Sequence, residues 1–288
     1  MVRSGRPRLV RKQLWPLYAD FQRELIRRNL LTFEGVVHQA RLAVENGQFP
    51  RYRHVLVDEL QDFGLEALRL IRALCPADET LQNPLSMVGD GHQRLYNPLP
   101  VPLSRAGIDV RGRARRLKIN YRTSEQIRHW SHGLLQGIEV DDLDGGAADT
   151  TGDRSVFKGP APEQLQCADL AEAGRRVAAW ARWLQEREEV ASREICVTPG
   201  YAPIVTALTK AGLSFKSLEV RQRDPGREEQ GIRLGTRRRI KGLEFRAVAL
   251  VLTGPGEADV LERFQNYVAV TRAWEYLLVV RVGSTTAP

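Results

Sequence analysis

Six short segments, several of them apolar runs, read as strands along the chain, at residues 54–59, 84–90, 194–198, 231–236, 247–252 and 277–282. Runs of this length suit strands covered on both faces better than buried helices. Between them the pattern turns helical. Leu14, Leu17, Tyr18, Phe21 and Leu25 recur at three- and four-residue steps, within a helical region predicted over residues 12–47. Thr32 reads as the N-cap of a helix over 33–45 that Gly47 and Pro50 end. Further helices are predicted over 65–74, 124–136, 165–189 (Trp180, Trp183 and Leu184 on one side), 202–211 and 257–272. Such alternation predicts an α/β fold on largely parallel sheets. The Asp-, Gly- and Pro-rich stretch 139–162 reads as a linker.

Composition narrows the function classes. No run is long enough to span a bilayer, and no apolar segment follows the basic N-terminus, so the chain reads as cytoplasmic and free of the membrane. Cys75, Cys167 and Cys196 are far apart, which argues against disulfides or a zinc site. The formal charge is +8, with basic clusters over 111–118 and 221–241. Such clusters suit a polyanion, whose counterions they release, and equally suit a solvated basic face.

Five segments carry side chains suited to chemistry. In VLVDELQD a strand delivers Asp58 and Glu59 at its carboxyl end, where open α/β sheets collect ligands. One carboxylate there can hold Mg²⁺ through water and the other can orient an attacking water; the plainer reading is an acidic start to the next helix. In VGDGHQRLY, Gly89 permits a tight turn, Gln93 can reach a γ-phosphate and Tyr96 can stack on a base. In KINYRT, Tyr121 offers a stacking face and Arg122 a forked cation. GTRRRIKGLEF places Thr236 and several cations before a glycine turn, and YVAVTRAWEYLLVV sets Arg272 after an apolar segment, where it can act as an arginine finger. Taken singly, each has an ordinary structural reading.

Their order is the stronger signal. VLVDELQD, VGDGHQRLY, NYR, KGLEF and YVAVTRA resemble, in sequence order, motifs II to VI of superfamily 1A DNA helicases, the UvrD/Rep/PcrA family. The resemblance runs over about residues 30–280. It implies a helical remnant of an insertion subdomain over 1–50, a partial first RecA-like domain over 51–138 and, after the linker, a second, near-complete RecA-like domain over 163–288. It also implies ATP and Mg²⁺ as cofactors, single-stranded or partly duplex DNA as partner, and 3′-to-5′ translocation. Asp58 would help hold the metal and Glu59 would be the catalytic carboxylate. Gln61 and Gln93 would sense the γ-phosphate, which Arg122 and Arg272 would clamp. Tyr121 would stack on adenine and Glu244 would lie near the ribose. Tyr96, Thr236 and Arg238 would face DNA.

The sequence departs from the family pattern at several points. These 288 residues contain no GxxxxGK[ST] segment, whose backbone N–H groups and Lys cradle phosphates. Arg238 stands where the family usually has His, and Pro98 where it commonly has Trp. Only 113 residues separate Arg122 from Thr236, too few for the second inserted subdomain of larger relatives. Two readings stay open. The chain is helicase machinery whose phosphate loop lies in a separate N-terminal piece, inactive as an ATPase alone, or it is a non-hydrolysing module that binds single-stranded DNA or a protein partner.

Overall fold

The structure, a computed structural model, describes residues 8–77, 80, 84–96, 101–143, 146–219, 223–226, 228–254 and 259–283, with side chains from residue 12 onward. Pro98 lies outside the described residues. The chain divides into two compact units. Unit 1 holds residues 1–58, 63–88 and 101–109; unit 2 holds 59–62, 89–100 and 110–288.

Unit 1 opens with α1 (Arg8–Arg27) and α2 (Phe33–Glu45). Thr32 caps α2 by accepting from the Gly35 amide at 3.0 Å, as its sequence position predicts. Then come β1 (Val55–Val57), α3 (Leu65–Leu74), β2 (Leu85–Met87) and a 3-10 turn over Leu103–Ala106. Strands β1 and β2 pair in parallel. Val44, Val57, Leu68, Ile71, Cys75 and Leu103 are buried. The expectation of a fully covered strand over 54–59 fails here: Leu56 is 84 % exposed and, just past β2, Val88 is 60 % exposed. The stripe of Leu14, Leu17, Tyr18 and Phe21 marks a real helix, yet those side chains are exposed too. Periodicity identified the helix but not what covers it.

Unit 2 begins its regular structure with β3 (Ile119–Asn120), α4 (Glu125–Gly133) and β4 (Arg154–Ser155). It continues through β5 (Glu163–Cys167), α5 (Leu170–Arg187), β6 (Ile195–Thr198), α6 (Ala202–Lys210), β7 (Phe215–Ser217) and β8 (Ile232–Leu234). The last elements are β9 (Phe245–Thr253), α7 (Val260–Val270) and β10 (Ala273–Val282). Six strands form one all-parallel sheet in the order β5-β10-β9-β6-β8-β7. The α/β class with parallel sheets is therefore what the alternating pattern predicted. Along β9, Ala247, Ala249 and Val251 join a core layer with residues of α5 and α6, while Val248, Leu250 and Leu252 join one with residues of α4 and α7. Both faces are buried, which explains why this strand reads as a continuous apolar run. The helix predicted over 165–189 is instead β5 followed by α5, with Asp169 capping the helix. The polar composition of Glu163–Cys167 hides a strand at the sheet edge. All three cysteines are free and buried, and burial pushes the Cys196 thiol well above its ordinary range.

Two outcomes follow from these cores. Leu250 is fully buried in β9, so Leu250→Ala should cost about 3 kcal/mol in urea denaturation followed by tryptophan emission. A loss below about 1 kcal/mol would contradict the packing described. In unit 1, Glu66 of α3 faces His38, Arg69 and Arg41, which together hold its carboxyl down at about 2. Its folded value lies below its unfolded one, so the stabilisation is complete above roughly pH 4.5 and disappears as pH falls toward 2. Glu66→Gln should flatten that part of the acid-denaturation curve, read by circular dichroism.

Candidate functional site

Asp58 closes the β1 segment and is exposed, in unit 1. The other residues singled out in the sequence lie in unit 2, with most of them joined through hydrogen bonds. Glu59 has left-handed backbone geometry, φ 54°, uncommon outside glycine and a local strain held by its surroundings. Its carboxylate accepts from Gln61 Nε2 at 2.6 Å and pairs with Lys241 Nζ at 2.9 Å. Gln61, buried in the 3-10 turn Leu60–Asp62, accepts at Oε1 from the Asp90 amide at 2.9 Å. Gln93 closes the 3-10 turn Gly91–Gln93; it donates to Asp90 Oδ2 at 2.9 Å and accepts from the Arg272 guanidinium at 2.7 Å.

Gly89 owes its place to space rather than to turn geometry. It is absent from the left-handed residues, but a Cβ there would stand 2.8 Å from both Gln61 Oε1 and Leu60 Cβ. The tight-turn reading of this glycine is thus replaced by close approach.

Arg272 follows α7 and is only 1 % exposed. Its Nε donates to Val268 O at 3.1 Å, which leaves the other end of the guanidinium for Gln93. Burial lowers its pKa to about 10, and the nearby Arg122 cation contributes in the same direction. Arg122 itself pairs with Glu244 at 2.7 Å, and its backbone is fixed by Asn120 Oδ1. Tyr121, beside it, is 73 % exposed. Tyr96 is 58 % exposed and lies under the Arg238 guanidinium, 5.8 Å from ring centroid to Cζ. Thr236, two residues earlier, is exposed and its hydroxyl accepts from the Arg239 amide.

Sequence reasoning singled out neither Lys241 nor Asp62 nor Arg94. Lys241 stands inside the KGLEF segment and pairs with both Glu59 and Asp62. Arg94 is buried; it donates to Gln61 O at 3.1 Å and pairs with Asp141 at 2.6 Å, clamping the two 3-10 turns together. Nothing in the local pattern separates these cations from the many surface arginines. Arg94 is distinguished by its burial and Lys241 by its two carboxylate partners, and both properties are set by the fold.

The residues present suit a polyanionic ligand. The Arg122 cation lies close enough to Arg272 to oppose its charge, a repulsion that an anion would relieve. One oxygen of Asp62 is buried without a hydrogen-bond partner and would be matched by a donor or a cation. Among the described residues, no group of three or more His, Cys, Asp or Glu could hold a metal by itself. A Mg²⁺ ion here would depend on ligand oxygens besides carboxylates, which is how Mg²⁺ commonly binds with phosphates. Among the same residues, no helix is long and apolar enough to cross a membrane.

Three comparisons with known proteins cover different shares of the chain. A solved structure of the C-terminal domain of a possible DNA helicase from Lactobacillus plantarum WCFS1 is similar at TM-score 0.42 and 19 % identity, over 58 % of this chain and 89 % of that one. DNA helicase IV of Escherichia coli K12 is 35 % identical over 86 residues, which are 30 % of this chain and 12 % of that protein. Residues 4–97, which contain Asp58, Glu59, Gln61, Gln93 and Tyr96, match the family model of the UvrD/REP helicase N-terminal domain. That match covers about a third of the chain, and the chain spans only a small part of the length of DNA helicase IV.

Proposed function

We propose that this chain is the ATP-coupling machinery of a UvrD/Rep-like 3′-to-5′ DNA helicase, completed by a phosphate loop that lies outside these 288 residues, in cis or in trans. The observation that carries the reading is the connected set Arg272–Gln93–Asp90–Gln61–Glu59–Lys241 in unit 2. In this reading Glu59 takes up the proton of an attacking water. Lys241 and Gln61 hold its carboxylate in place. Arg272 and Arg122 face the terminal phosphate, Gln93 reports its presence, Tyr121 stacks on the base and Glu244 meets the ribose. Asp58 contributes a carboxylate to Mg²⁺, whose chemistry is to neutralise phosphate charge. The two RecA-like domains of the family would correspond to segments 51–138 and 163–288.

Phosphoryl transfer depends on positioning and charge stabilisation, and the main phosphate cradle is not in this sequence. The chain alone should therefore hydrolyse ATP no faster than background. Mixed with an N-terminal helicase piece carrying GxxxxGK[ST], it should show DNA-stimulated hydrolysis that Glu59→Gln lowers by about 100-fold or more. Robust hydrolysis by the isolated chain, lost in Glu59→Gln, would show that no outside loop is needed. No hydrolysis in any combination would remove the helicase reading.

A second reading has its own support in the exposed Tyr96–Arg238 stack. It is a module that binds single-stranded DNA, or a partner, without hydrolysis. An exposed ring backed by a cation is a platform for an unpaired base. Tyr96→Ala should weaken binding of a single-stranded oligonucleotide by about 1–3 kcal/mol in a low-salt anisotropy titration. An unchanged titration would count against DNA contact at this ring.

A further inference from the structure

Five arginines from four segments converge on one open depression of about 350 Å³ in unit 1. Arg41 comes from α2, Arg51 from the segment before β1, Arg69 and Arg72 from α3, and Arg105 from the 3-10 turn Leu103–Ala106. Glu45 is the single carboxylate in the lining. It is engaged by Arg41 at 2.8 Å, and Glu66 outside the lining takes Arg41 and Arg69. Five cations less these two anions leave a surplus of three positive charges.

The surplus is positioned. Arg51 is anchored by the next residue, whose amide (Tyr52) donates to Leu74 O at 2.7 Å. Arg105 is set by the buried Leu103 and Ala106 beside it and by Gly107, left-handed at φ 71°, which ends the turn. Neither the Arg51 nor the Arg105 side chain has a hydrogen-bond or ion-pair partner among the described residues, and both residues are exposed. The Arg72 guanidinium donates to Cys75 O, while its Nε is buried with no partner. The wall therefore offers guanidinium donors on anchored backbone that no protein group occupies.

The geometry points to a phosphate-binding site in this depression, formed by Arg51, Arg72 and Arg105 and held in shape by the Glu66 pairs, that takes a diphosphate or phosphodiester group. A single carboxylate is already matched by one bidentate arginine. Several free guanidinium donors around one cavity fit a group with more oxygens and more charge. No aromatic side chain lines the depression, so a base would find no stacking surface and recognition would be of phosphate alone. The site lies wholly in unit 1, whereas Glu59, Gln93 and Arg272 belong to unit 2, so it stands or falls separately from the nucleotide reading.

The test uses the full chain and inorganic pyrophosphate in low-salt calorimetry. The wild type should bind, and Arg51→Gln with Arg105→Gln should weaken binding by about tenfold or more. Loss of two exposed, unpartnered side chains leaves the fold intact, which circular dichroism checks. Arg175→Gln with Arg176→Gln, on the exposed face of α5, serves as the charge-matched control and should bind as the wild type does. Absence of pyrophosphate binding overturns the proposal. So does binding that survives the Arg51/Arg105 change, or an equal loss in the control. A labelled single-stranded oligonucleotide then distinguishes the source of the phosphate. If the Arg51/Arg105 change lowers its salt dependence by about two phosphate contacts, the site takes nucleic-acid backbone; if oligonucleotide binding is unaltered, it takes a free polyphosphate.

Discussion

A guanidinium cannot be removed from water without partners, and Arg272 is almost entirely removed from it. That requirement orders the surrounding polar groups in unit 2. Arg272 donates to Val268 O and to Gln93 Oε1, so the Gln93 amide has one permitted orientation and its nitrogen must point to Asp90. The Asp90 amide in turn donates to Gln61 Oε1, which turns the Gln61 nitrogen toward Glu59. Lys241 then balances Glu59 from the other side. Each side-chain amide is locked by a donor at one end and an acceptor at the other. An anion that competed with Gln93 for Arg272 would release the whole series, and no single member could move without leaving a neighbour unsatisfied.

The two units meet the demands of a parallel sheet differently. In unit 2 six parallel strands lie between helices, and β9 alternates its side chains between two buried layers. In unit 1, among the described residues, two parallel strands form the sheet and Leu56 is open to solvent. Parallel sheets are ordinarily covered on both faces, and two strands are a small fraction of a usual sheet. The exposed apolar stripe of α1 adds uncovered surface in the same unit. A hydrophobic face left uncovered carries no burial free energy, so unit 1 must rest chiefly on the packing of α2 and α3 around Val44, Leu68 and Ile71.

How much of this was legible beforehand depended on the range of the governing interaction. Local chemistry was readable: Thr32 capping α2, a helix near α4 and the apolar runs that became β6, β9 and β10. The short polar strands β3, β4 and β5 were not, because their side chains carry little period-two signal and their pairing comes from distant segments. At the site, Glu59, Gln61, Gln93, Arg122, Glu244 and Arg272 stood out through ordered motifs. Arg94 and Lys241 did not, since their roles come from pairing with carboxylates tens of residues or more away in sequence. Exposure was the least legible property of all. The sequence pattern that makes Leu56 a strand residue is the same whether or not another layer lies over it.

The glycines of VGDGHQRLY show why a motif can be right for a reason that sequence alone obscures. Neither Gly89 nor Gly91 has the left-handed backbone that usually makes glycine necessary. A Cβ at Gly91 would instead fall 2.3 Å from the Asp141 carbonyl oxygen, and one at Gly89 would press on Gln61. Asp141 also receives Arg94, and its segment bridges back through the Asp141–Ala147 pairing. The residues from Gly89 to Arg94 are thus enclosed by Gln61 on one side and Asp141 on the other, with no room for a methyl group at either glycine. Close packing of backbone against side-chain amide brings Asp90 within 2.9 Å of Gln61 and allows the hydrogen-bonded series from Arg272 to reach Glu59. The glycines act by allowing two buried polar turns to touch, and the electrostatic order of the site follows from that contact.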